Sequence, residues 1–161
     1  FGDNQGVEAA LEEGAEITSR DWKGNTGLHL SAHYGHQGVL LTLLTRGLNV
    51  NIRGRYQRTA LMLAALYGQL SCLQTLLEHG ALTDLKDIIG DTALMLAAKY
   101  NSPDIVGELL AKQADDNNDE TVNRLVNQVC DNFEETVDKF NTQHNVRLLC
   151  TSKLKQCESS E

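Results

Sequence analysis

One heptapeptide occurs three times at a fixed spacing of 33 residues, and no other feature constrains the fold as strongly. It reads Thr26-Gly27-Leu28-His29-Leu30-Ser31-Ala32, then Thr59-Ala60-Leu61-Met62-Leu63-Ala64-Ala65, then Thr92-Ala93-Leu94-Met95-Leu96-Ala97-Ala98. The register extends beyond these positions. Gly2, Gly35, Gly68 and Asn101 fall in step, as do Leu11, Leu44, Leu77 and Leu110, and Gly14, Gly47, Gly80 and Gln113. Such self-similarity is the mark of a stacked array, in which each unit buries its apolar face only against its neighbours.

Within a unit the pattern reads turn, helix, turn, helix. Asp21-Trp22-Lys23-Gly24-Asn25 is a turn with glycine where a positive φ is wanted, and Thr26 is placed to cap a short helix to about Tyr34. Gly35 stops that helix. A second spans roughly Gln37 to Thr45, with Val39, Leu40, Leu43 and Leu44 inward, and Gly47 closes the unit. The next unit repeats this from Gly54 to Lys86, and the third begins at Asp87, with Pro103 suited to the first turn of its second helix. Residues 1–20 look like the second half of a unit, with Val7, Ala10 and Leu11 at helical spacing before Gly14. The start at Phe1, in mid-repeat, suggests a chain trimmed from something longer.

The chain resembles the ankyrin-repeat family. The period, the Thr-x-Leu-His/Met-x-x-Ala stretches and the Gly-x-Thr lead-ins at Gly24 to Thr26 and Gly90 to Thr92 carry the resemblance. It departs from the family pattern where Gly27, Ala60 and Ala93 replace the usual proline and where the histidine survives only at His29. The middle turn has Gly54 and Gln57 where its sisters have Asp and Gly, which predicts a distorted geometry there. The implied fold is all-α, an ankyrin-type helix-turn-helix solenoid with hairpin turns. A partial repeat (1–20) and full repeats at 21–53, 54–86 and 87–115 form the array. Residues 116–161 form an acidic linker and a C-terminal amphipathic helix. That helix is read from Val122, Leu125, Val126, Val129, Phe133, Val137 and Phe140, an unbroken helical stripe. It either caps the array, the favoured reading, or docks with another chain. The stretch from Lys155 onward reads as disordered.

Charge and composition narrow the function. Net charge is −8, yet residues 21–114 hold seven acids and eight bases, leaving the repeat body near neutral between acidic ends. That balance argues against nucleic acid as the main partner. No apolar run is long enough to span a membrane. Cys72, Cys130, Cys150 and Cys157 lack metal-ligand spacing and read as reduced thiols of an intracellular protein, cytoplasmic or nuclear, with Cys72 on an apolar helix face. His33 and His36 sit three apart with no acid or cysteine at ligand spacing, so no metal is expected. No phosphate loop, nucleophile elbow or carboxylate pair appears. Neither catalysis nor a cofactor is expected.

The resemblance places partner contacts on the hairpin tips and on the concave face lined by the first helices, and the residues add to this. Tyr34, Tyr67 and Tyr100 recur at the repeat spacing at first-helix ends, while Trp22, Tyr56 and Ile88-Ile89 lie at tips. Lys23, Arg53, Arg55, Arg58 and Lys99 join them as candidate contacts, and Arg20 and Lys86 lie beside the tips. Trp, Tyr and Arg are the residue types enriched in interface hot spots. The tyrosine ladder reads equally as packing between repeats. The tip residues favour function, because tips have little to pack against. The expected partner is another protein with an acidic or mixed segment, and the expected role is a non-catalytic adaptor or regulatory subunit. Two alternatives stand beside it: an ankyrin segment that docks substrate for a larger enzyme or regulator, and a self-assembling unit joined through Val122, Leu125, Val129, Phe133, Val137 and Phe140.

Overall fold

A threonine at the head of each heptapeptide fixes where a helix begins. Thr26, Thr59 and Thr92 are extended, with φ near −90° and ψ near 170°. The Thr59 and Thr92 hydroxyls accept the amides of Met62 and Met95 at 3.3 and 3.4 Å. The computed structural model describes residues 3–100 and 102–116, and among them seven helices and no strand. They run α1 (Asn4–Glu12), α2 (Gly27–Tyr34), α3 (Gln37–Thr45), α4 (Ala60–Leu66), α5 (Leu70–Glu78), α6 (Ala93–Lys99) and α7 (Pro103–Asp116). The expected tail stripe at Val122, Leu125, Val126, Val129, Phe133, Val137 and Phe140, and the terminal stretch from Lys155, lie outside the described residues.

Helices pair within each repeat as α2 with α3, α4 with α5 and α6 with α7. The first helices then stack as α2, α4 and α6, and the second helices as α1, α3, α5 and α7. Small residues let the first helices approach closely: Ser31, Ala64 and Ala97 occupy one register, Ala32, Ala65 and Ala98 the next, and all are buried. Leucines fill the space between the layers, with Leu28, Leu40, Leu61, Leu73, Leu76, Leu96 and Leu109 fully enclosed. Cys72 is buried among them as a free thiol, and burial raises its pKa.

Gly35 ends α2 at φ 76°, and Pro103 opens α7 as expected. Two details differ from the sequence reading. In α1 only Val7 and Leu11 rest on the core, while Ala10 is exposed, and the helix packs chiefly against α3. At the other end α7 continues through Asp116, one residue beyond the boundary suggested by composition.

Candidate partner-binding surface

Each tip is a five-residue turn closed by the same pair of backbone hydrogen bonds, repeated every 33 residues. In the first, the Asp21 amide donates to Asn25 O at 2.8 Å and the Gly24 amide to Asp21 O at 2.9 Å. The Asp87–Asp91 and Gly54–Arg58 turns carry the same pair of bonds. In the outer two tips the leading aspartate braces the turn: Asp21 Oδ1 accepts the amides of Lys23 and Asn25, and Asp87 Oδ1 those of Ile89 and Asp91. Amide hydrogen bonds, that of Asn25 foremost, hold the Asp21 carboxyl below its ordinary pKa. Burial opposes ionisation of Asp87, but the amides of Asp91 and Ile89 and the Arg58 guanidinium outweigh it and lower that pKa as well.

The middle tip is built differently, as its sequence predicted. Gly54 cannot brace the turn, and a Cβ there would lie 2.7 Å from both Asn25 Oδ1 and His29 Nε2. Asn25 Oδ1 instead accepts the Arg55 amide from the neighbouring repeat, at 3.0 Å. Arg55–Gln57 form a short 3-10 turn in which Tyr56 and Gln57 take φ of 58° and 59°. Gln57 thereby occupies the left-handed position held by Gly24 and Gly90 in its sister repeats.

Interlocking bonds turn the tips into a row. Arg20 Nη1 donates to Gly24 O at 2.6 Å and Arg53 O at 2.8 Å; one repeat on, Arg53 Nη1 donates to Gln57 O and Lys86 O, both at 2.8 Å. His29 Nδ1 accepts the Thr26 amide at 3.2 Å, which leaves Nε2 to donate to Arg58 O at 3.1 Å. Burial lowers the His29 pKa and keeps this neutral form. Arg58 Nε meets the buried Asp87 carboxylate at 3.1 Å, and the Ile88 amide donates to Tyr56 O.

The candidate contact residues therefore fall into two groups. Arg53 and Arg58, expected to read acidic groups on a partner, spend hydrogen bonds on the stack itself. Lys99 is paired with Asp91 at 2.7 Å. In contrast Trp22 is 88% exposed and Ile88 and Ile89 are 61% and 73% exposed. Lys23 Nζ lies 4.7 Å from the Trp22 ring, and Arg55 and Arg58 lie 4.5 and 5.7 Å from the Tyr56 ring. Trp22, Arg55 and Ile88 share one repeat register and Lys23, Tyr56 and Ile89 the next, so two ridges of variable side chains run along the tips.

Tyr34, Tyr67 and Tyr100 are exposed at the ends of α2, α4 and α6. His33 joins the first two, with its ring 4.4 Å from Tyr34 and 3.9 Å from Tyr67, and His36 stacks 6.1 Å from Tyr34. Spacing weighs His33 and His36 only as a metal pair, and expects no metal there. His33 stands next to Tyr34 and thus on the same helix end, a signal that places it in the aromatic row. Among the described residues no group of three or more His, Cys, Asp or Glu could hold a metal ion.

A family model for ankyrin repeats, three copies, matches residues 1–87 and 58–121. The chain belongs to the ankyrin-repeat family. No curated protein matches it. Ankyrin repeats generally mediate protein–protein interaction and are typically non-catalytic. No helix among the described residues of this ankyrin-repeat protein is long and apolar enough to cross a membrane.

Proposed function

We propose that this chain is a non-catalytic adaptor or regulatory subunit that binds a partner protein across its hairpin tips and the adjoining first-helix face. The observation that carries this reading is the row of exposed apolar side chains at Trp22, Ile88 and Ile89, which the fold itself does not need to bury. Aromatic anchors on a preformed scaffold bind at low entropic cost, and charges around them set specificity. The partner segment is acidic or mixed, because the Lys23 ammonium and the Arg55 guanidinium form no ion pair with a carboxylate among the described residues. An intracellular setting, cytoplasmic or nuclear, belongs to the same proposal and is supported by the buried free thiol of Cys72.

Replacing Trp22 and Tyr56 together by Ala tests it. Binding of a captured partner is expected to weaken at least about tenfold while far-ultraviolet circular dichroism stays unchanged. Undiminished affinity would remove the tips from the binding surface.

A further inference from the structure

Between the first and second tips lies a cavity of about 160 Å³, lined by tip residues and by the first helices α2 and α4. Its wall includes Lys23, Arg55 and Arg58 together with the rings of Tyr34, Tyr56 and Tyr67. That volume suits a single side chain, since a cavity of about 150 Å³ accommodates a benzene ring. We propose that this cavity is a subsite for one carboxylate side chain, Glu or Asp, carried on an extended segment of the partner protein, an inference that rests on the tip-binding reading above.

Charge complementarity commits the occupant. Arg58 gives Asp87 its Nε, and among the described residues its terminal nitrogens and the whole Arg55 guanidinium have no hydrogen bond to the protein. Both guanidinium groups are steadied by the Tyr56 ring, so little freedom is lost when they close on an anion. The wall's own carboxylate, Asp21, is turned into its turn, with Oδ1 accepting the amides of Lys23 and Asn25. His33 also lines the wall, and after burial the charge of Lys23 disfavours its protonation. The rings of Tyr34 and Tyr67, joined by His33, face the methylene stem of such a residue, and an arginine fork suits its carboxylate. A neutral aromatic or aliphatic occupant would leave the cations desolvated and unpaired, which is unfavourable.

Selection of a random dodecapeptide display library on the full chain tests the subsite. Selected peptides are expected to share one acidic position, and a synthetic peptide with Gln there should bind about tenfold more weakly. Arg55→Gln should abolish that acidic preference, and Arg55→Glu should replace it with Lys or Arg. Unchanged circular dichroism of both variants confirms that they fold. Peptides without a shared acid, or an acidic preference that survives Arg55→Gln, overturn the subsite. If those peptides nevertheless lose binding to the Trp22→Ala/Tyr56→Ala protein, the tip surface stands and only the subsite falls. Peptides indifferent to both sets of changes overturn the tip surface as well.

Discussion

At Gln57 the chain holds a β-carbon in a left-handed turn position, with φ 59°, where both sister repeats use glycine. Side chains in that region cost about 1–2 kcal/mol. Gln57→Gly is therefore expected to stabilise the protein by roughly 0.5–1 kcal/mol, since relief of strain exceeds the added freedom of the unfolded chain. Urea unfolding reads this directly, and a destabilised variant would show that the glutamine side chain contributes more than its conformation costs. His29 makes a second residue-scale case. Its folded pKa is lowered by burial, so the unfolded chain binds more protons between the two values. Stability is then fully present above the unfolded value of about 6.5 and declines as pH falls through it toward the folded value. His29→Met borrows the residue of the sister repeats, loses the bond to Arg58 O and should cost about 1–2 kcal/mol near pH 7.5. Its pH–stability curve should be flatter below neutrality than that of the native protein, and parallel curves would contradict the buried neutral histidine.

At the scale of elements, the helices and their ends were legible because each depends on local chemistry. Thr26, Thr59 and Thr92 mark starts, Gly35 marks a stop, and the inward set Val39, Leu40, Leu43 and Leu44 follows from spacing alone. The tips are legible as turns, and the oddity of Gly54 and Gln57 is visible in the sequence itself. What spacing does not reveal is where a side chain spends its hydrogen bonds. Arg53 and Arg58 look like exposed cations in a turn-rich stretch, yet their partners are carbonyls and a carboxylate one repeat away. Only the stacking geometry brings those groups within reach. The Arg58–Asp87 link gives the third prediction. Asp87→Asn keeps an acceptor for the Ile89 and Asp91 amides and removes the charge facing Arg58, at an expected cost of about 1.5–3 kcal/mol at pH 7. Because the Asp87 pKa is lowered in the folded state, its stabilisation is present above about 3.9 and lost as pH falls through the folded value. The difference between native and Asn proteins should therefore shrink in that acid range, and a constant difference would assign the loss to packing.

For the whole molecule, the stack has two layers with different tasks. The second helices and the leucine layer supply burial, and the first helices and tips present a rigid row whose backbone is tied from repeat to repeat by Arg20, Arg53, His29 and Asn25. Such a scaffold can vary the outermost side chains, Trp22-Lys23, Arg55-Tyr56 and Ile88-Ile89, without disturbing the bonds beneath them. Amide hydrogen exchange of the full chain with and without its captured partner tests most directly whether this row is the binding surface. Slowed exchange is expected at residues 22–24, 55–57 and 88–90 and along the ends of α2, α4 and α6. Slowing confined to α3, α5 and α7, with the tips unchanged, would place the partner on the opposite face and contradict it.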